Sequence, residues 1–433
     1  MLIHGWGRYP KVDAEVCSPS SIAEFVSTVR AQRELTVRGL GRSYGDSSLG
    51  SVIACTGNLG KVLAFDEATG LLTCESGVSF DEIIRRFVPR GWFLPVTPGT
   101  KHVTVGGAIA SDVHGKNHHV HGSFSQFIQS IELLLGNGDQ IRVSRENHFD
   151  LFRATCGGMG LTGIVISASF FLTRVSSSTV TETIIKTPNL DVVLDAFEEN
   201  TESTYSVAWV DCLATGNGYG RSLLMLGEHK QSGPLEVQSL PRISIPFEVH
   251  NKVLGKFTVK AFNSLYYSRI SDRGRVKDIH FQKFFYPLDG ISNWNRLYGN
   301  QGLIQYQFVV PKQVGRLGIK AIHQRIVDTG LSSVLAVLKL FGEGNSNYLS
   351  FPIEGYTMAV DFKATPEVLA LLRELDKLVV DLGGRIYLTK DARMSEPIFK
   401  SVYPEWERFE SVRKKYYATG KFVSAQSMRL GLV

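Results

Sequence analysis

"PGTKHVTVGGAIASDVHGKNHH", residues 98–119, decides how the rest of this chain is read. Two adjacent glycines, Gly106 and Gly107, are followed by Asp112, His114, Lys116, His118 and His119. A metal site, a backbone cradle for phosphate and a plain turn all compete here. A metal would draw on the three histidines and Asp112. The setting is a glycine turn with no evident fourth ligand, so no metal is expected. His118, His119 and His121 read as polar decoration of a surface loop.

Two further glycine loops favour the cradle: "RGLGRSYGD" (38–46) and "GGMGLTGI" (157–164). Glycine lets successive N–H groups turn toward one point and lets a ligand approach the backbone closely. Gly158, Gly160 and Gly163 match G-x-G-x-x-G, but the expected order is wrong for a dinucleotide fingerprint. There a strand precedes and a helix follows; here "HFDLFRATCGG" reads as a helix and "LTGIVISASFFLTRV" as the strand after it. No G-x-x-x-x-G-K-[ST] and no H-E-x-x-H occurs.

The 433 residues exceed one ordinary core, so two or three domains are expected. With 43% hydrophobic and 20% charged residues the chain is a globular protein and not a disordered one. A net charge of +6 suits an anionic substrate or a loose membrane contact and is too weak for nucleic acid. Five cysteines without a C-x-x-C pair read as buried thiols in a reducing compartment. The opening "MLIHGWGRYP" has no signal-peptide pattern, and no apolar run reaches a membrane span. A soluble cytoplasmic protein is expected, with peripheral membrane contact left open.

Along the chain, Ser18 and Pro19 read as the cap and first residue of a helix whose apolar face is Ile22, Phe25, Val26 and Val29. Short strands are expected near 35–37, 51–55, 61–65 and 71–75. Ser79 and Glu82 form a capping box, and Asn137-Gly138 turns a hairpin. Later strands are expected at 205–211, 304–310, 332–341, 356–362 and 385–390, separated by helices, one of them at 366–381 ending at Gly383-Gly384. This alternation suggests a sheet with helices on one face. Residues 220–280 are the least readable.

Together the three glycine loops resemble the FAD-binding domain of the vanillyl-alcohol oxidase / p-cresol methylhydroxylase superfamily. The motifs "GWGR" (5–8), "FYPLDGISNWNRLYG" (285–299), "QYQFVVP" (305–311), "LKLFG" (338–342) and "YLTKDAR" (387–393) narrow the resemblance to the decaprenylphosphoryl-ribose oxidase family. It implies an α+β fold: a two-part FAD-binding domain plus an α+β substrate domain built on an antiparallel sheet. The implied domains are 1–178 for FAD, 179–384 for substrate, and 385–433 returning to the FAD part. It implies FAD near Gly39, Gly41, Arg42, Ser43, Tyr44, Gly45, Gly99, Thr104, Gly106 and Gly107, with Ser111, His114, Ile164 and Tyr387 also against the cofactor. The implied substrate face is Tyr44, His114, Lys116, Tyr286, Arg296, Gln305, Gln307, Lys339 and Lys390.

The resemblance implies oxidation of a sugar's secondary alcohol, the 2'-hydroxyl of a polyprenyl-phosphoryl ribose, to a ketone on the way to arabinose. A separate short-chain reductase would complete the epimerisation. Lys390 is the first candidate for the polar catalytic role, because a lysine partly desolvated beside a flavin has a lowered pKa. His114 and Tyr286 are the others. An aldonolactone- or alditol-type oxidase acting on a free sugar, and a flavin-binding subunit without turnover, stay open. Carbohydrate oxidases of the superfamily often tether FAD through a histidine in the first glycine loop; Gly41-Arg42-Ser43-Tyr44 has none, so FAD is expected to be non-covalent. Ala359 and Thr357 replace a cysteine and an asparagine found in a member of the family, which leaves the substrate open.

Overall fold

The structure, a computed structural model, describes residues 1–238, 243–248, 255–331, 333 and 335–432. Near the N-terminus, Glu15–Cys17, Val52–Cys55 and Thr36–Arg38 form a three-stranded parallel sheet with Val52–Cys55 in the middle. The helix Ile22–Ala31 buries Phe25 and Val29 against it. Its cap is Ser21, which accepts from the Glu24 N–H at 3.3 Å. Ser18 stays in the preceding loop, where its carbonyl takes a hydrogen bond from Asn58, so the helix starts three residues later than Ser18-Pro19 suggests.

A five-stranded antiparallel sheet follows, in the order Gln140–Ser144, Ile128–Leu134, Ile164–Phe171, Leu71–Glu75, Val62–Phe65. The hairpin turns where Gly138 takes φ +90°, a conformation cheap only for glycine. Ser79 caps the helix Phe80–Phe87, but the Glu82 carboxylate turns to Arg86 instead of closing a capping box. The helix Phe149–Thr155 precedes the glycine turn and the strand Ile164–Phe171 follows it, the reversed order read from the sequence.

The largest sheet has eight strands, antiparallel throughout: Arg275–His280, Thr179–Thr187, Ser222–His229, Tyr205–Val210, Ala336–Phe341, Gly355–Lys363, Leu303–Pro311, Arg385–Ile386. The expected strand at 332–341 spans Ala336–Phe341; positions 332 and 334 lie outside the described residues. The expected strand at 385–390 is only Arg385–Ile386. Tyr387–Lys390 is a turn, closed by the Lys390 N–H on the Tyr387 carbonyl at 3.0 Å.

Side chains alternate across a strand, so this sheet has two unlike faces. Tyr306, Phe308, Leu338, Met358 and Val360 pack with the helices Lys312–Thr329 and Pro366–Asp381 into the main core. Their neighbours Gln305, Gln307, Val337, Lys339 and Ala359 line a cavity on the other side. The C-terminal segment returns to the N-terminal part: Leu35 pairs with Phe422. Arg413, fully buried, donates to the carbonyls of Leu161 and Phe422.

Candidate active site

The cavity between the glycine loops and the open face of the large sheet has a volume of about 1270 Å³. Its register explains its chemistry. Gln305 stands opposite Asp361, Gln307 opposite Ala359, Ala359 opposite Val337, and Val337 opposite Trp209. Trp209 and Val207 are followed by Met225 on the next strand. The wall therefore runs from amides and lysines to aliphatic and aromatic groups. Phe262 and Tyr266, from the helix Lys256–Ser268, continue the apolar end.

The glycine loops supply the opposite wall. Gly39, Gly41, Arg42, Ser43, Tyr44, Gly99, Thr104, Gly106, Gly107, Ser111, His114 and Tyr387 all line the cavity, as the resemblance implies. Gly39 presses on the other loop so closely that an added Cβ would lie 2.4 Å from Thr104 Oγ1. Gly106 fits against Ser76, where an added Cβ would lie 3.0 Å from the Ser76 Cβ, while a Cβ added at Gly99 would meet no atom within 4 Å and would face open space. Arg42 stacks on Trp6, 4.3 Å from the ring, and donates to the His102 carbonyl.

At the polar end Lys116 from the glycine loop, Lys339 from the sheet and Lys390 from the turn after it line the cavity. Burial pushes Lys116 down to about 7 and Lys339 down to about 8. Each keeps some surface open to the cavity, so these are groups at a wall and not sealed in a core. Lys116 donates to the Phe284 carbonyl and lies 4.1 Å over that ring. Lys390 Nζ lies 3.7 Å from the Tyr44 ring centroid. Burial lowers its pKa, Asp361 opposes that, and Lys339 adds to it.

Asp361 is the residue the sequence reading missed. It is fully buried behind the wall; Oδ1 accepts from Gln305 Nε2 at 2.5 Å, and Oδ2 has no partner among the described residues. Burial raises its pKa, with Gln305 and Lys390 pulling it back. Only its alternation with Ala359 marked it, and its neighbours across the sheet are set by register.

His114 is buried among Phe341, Tyr387 and Phe351, with ring centroids 4.9, 5.0 and 5.5 Å away. Burial, then Lys339, holds its imidazole well below the ordinary range, so it is neutral. Its Nε2 lies 3.0 Å from Gln307 Nε2, an amide nitrogen that can only donate. The ring proton therefore sits on Nδ1, which has no protein partner among the described residues.

Four expected residues lie off the cavity wall. Tyr286 is fully buried, its hydroxyl 2.7 Å from Thr97 Oγ1; it braces Thr97, which does line the cavity. Arg296 donates to the carbonyls of Ile245 and Pro246 at 3.0 and 2.8 Å. Ile164 points into the core beneath, since the pleat gives the cavity side to its neighbours Gly163 and Val165. Gly45 is clamped by the Asp391 carbonyl, 1.7 Å from where a Cβ would stand.

The histidine run is dispersed. His118, buried and not on the surface as the sequence suggests, packs 4.4 Å from the Phe341 ring centroid. His119 meets the Ser203 carbonyl and His121 the Asn117 amide. Asp112 is taken up by Asn345, Asn347, Ser350 and the Ser125 N–H. No group of three His, Cys, Asp or Glu placed to hold a metal occurs among the described residues.

Residues 10–144 match the family of FAD binding domains. The decaprenylphosphoryl-beta-D-ribose oxidase of Mycolicibacterium smegmatis is 36% identical, across 99% of this chain and 97% of that protein. The chain belongs to the decaprenylphosphoryl-β-D-ribose oxidase family. An uncharacterized protein of Streptomyces coelicolor is 30% identical, covering 82% of this chain and 100% of its own. The L-gulono-1,4-lactone dehydrogenase of Mycobacterium tuberculosis is 21% identical over 98% of each chain. As a member of this oxidase family with an FAD-binding domain, the protein is an FAD-dependent oxidoreductase.

The residues fit FAD. The glycine loops leave an open cradle at Gly99, and Ser76 Oγ and His114 Nδ1 are buried polar atoms at the cavity wall without a protein partner. Unpaired buried polar atoms are costly, and a polar ligand satisfies them. No helix among the described residues is long and apolar enough to cross a membrane.

Proposed function

We propose that this protein oxidises the 2'-hydroxyl of a polyprenyl-phosphoryl ribose to a ketone. The observation that carries this reading is the graded cavity, with Gln305, Gln307 and three lysines at one end and Trp209, Met225, Phe262 and Tyr266 at the other, where Arg269 lies over Tyr266 and Arg275 is paired with Glu182. A sugar phosphate suits the first end and a polyprenyl chain the second. A free sugar acid or lactone would leave the apolar end without an occupant. Residues 1–178 and 385–433 would hold the cofactor, and 179–384 the substrate.

FAD, when bound, supplies the two-electron acceptor for the carbinol carbon. The Lys390 Nζ, kept partly neutral by burial, takes the hydroxyl proton. Gln305 and Gln307 donate to sugar hydroxyls from one face of their strand. Lys116 and Lys339 meet the phosphate, and the buried neutral His114 holds Gln307 at the wall through its Nε2. The keto product needs a separate reductase to become arabinose.

The test is anaerobic. Polyprenyl-phosphoryl ribose added to the flavin-loaded protein should bleach the flavin absorbance, while free ribose should not. Bleaching by an aldonolactone or alditol alone would reassign the substrate. Retained flavin that no sugar bleaches would make the chain a binding subunit.

A further inference from the structure

The cavity reaches the surface along the helix Lys256–Ser268, whose residues Thr258, Val259, Phe262 and Tyr266 turn inward to line it. The helix's outer face carries Phe257 and Leu265, 89% and 72% exposed. The lining also includes Ile291, Ser292 and Asn293. The strand Ile243–Ser244 pairs with Ile291–Ser292 and presents Ile243 at 66% exposure, with Phe247 at 73% just beyond. Scattered exposed apolar residues are ordinary; these stand on, or beside a strand paired with, elements that line one cavity.

Charge accompanies the apolar group. The helix carries Lys256 and Lys260 and no acid. Residues 255–283 hold seven Lys or Arg against two acids, Asp272 and Asp278. Both acids are neutralised from outside the stretch, by Lys186 at 2.8 Å and Lys230 at 2.6 Å. Lys256, Lys260, Arg273 and Lys277 form no ion pair among the described residues.

We propose that this rim docks on an anionic lipid bilayer, with the helix Lys256–Ser268 lying in the interface. The inference rests on the reading of the substrate as lipid-linked, because the docked rim lets a polyprenyl chain pass from membrane to cavity without crossing water. Aromatic and aliphatic side chains beside lysines, on a helix without acids, suit a headgroup region. A protein partner is a poorer occupant, since lysine is depleted where protein interfaces are buried.

The experiment uses flavin-loaded enzyme and sedimenting vesicles of phosphatidylcholine alone or mixed with phosphatidylglycerol. Binding to the mixed vesicles and not to the neutral ones is expected. Lys256→Glu with Lys260→Glu should weaken it more than about tenfold, at about fivefold per lysine removed. Phe257→Ser with Leu265→Ser should weaken it as well. None of the four lines the cavity, so each variant should keep its flavin and its turnover of a water-soluble, short-chain polyprenyl-phosphoryl ribose. Three results would overturn the surface: no wild-type binding to anionic vesicles, binding that survives both pairs, or a lipid-free dimer abolished by Phe257→Ser with Leu265→Ser. Vesicle binding without short-chain turnover would support the surface and sink the substrate reading. Turnover without vesicle binding would do the reverse.

Discussion

The role proposed for Lys390 follows from the partners it lacks. Its sequence neighbour Asp391 is taken by Arg429 at 2.9 Å and by the N–H groups of Arg393 and Met394. That leaves the ammonium against Tyr44, with Asp361 as the opposing charge. Lys390→Met should retain FAD and lose turnover by about 100-fold or more, read as anaerobic bleaching rate. Asp361 raises the Lys390 pKa, so its removal lowers it. If neutral Lys390 is the proton acceptor, Asp361→Asn should move the acid limb of the kcat profile to lower pH, by on the order of one unit. An unmoved limb with normal flavin content would remove Asp361 from this role. Lys390 was legible from its motif. Asp361 was not, because nothing local sets Gln305 opposite it.

At the scale of elements, the two cofactor loops are matched to each other as well as to a ligand. Gly39→Ala would drive a methyl into Thr104 Oγ1, a short side chain that also caps Gly107 at 3.1 Å. The loops must part, so the variant should purify with its FAD largely lost, measured as the ratio of flavin to protein absorbance. Glycine spacing made these loops legible. Strand alternation likewise showed that Gln305 and Gln307 share a face. The same alternation shows why Ile164, between Gly163 and Val165, faces the core. Residues 387–390 carry β-propensity but form a turn, which contacts with Ser111 and the Gln307 carbonyl fix in place.

For the whole molecule, the buried cations tie stability to pH. Lys339 and Lys116 titrate near 8 and 7 in the fold against 10.5 in a free chain. Between these values the unfolded chain holds more protons, so their contribution to stability rises with pH from about 7 to about 10. Below that window the burial penalty is complete. Lys339→Met should stabilise the flavin-free protein by about 1 kcal/mol at pH 7, the full shift being discounted for water in the cavity. The gain should vanish near pH 10, as denaturant titration at the two pH values would show. Flavin should also leave on denaturation, since no histidine stands in the loop Gly41-Arg42-Ser43-Tyr44. The α+β class, the glycine cradle, the cofactor and most of the polar wall could be read in the chain alone, because turns, pleats and motifs are written in neighbouring residues. That Tyr286 and Arg296 brace and do not face the cavity, that Asp361 stands behind Lys390, and that one wall grades from lysine to tryptophan came from the fold. Those facts depend on strand register and on packing between distant segments, which no local pattern encodes.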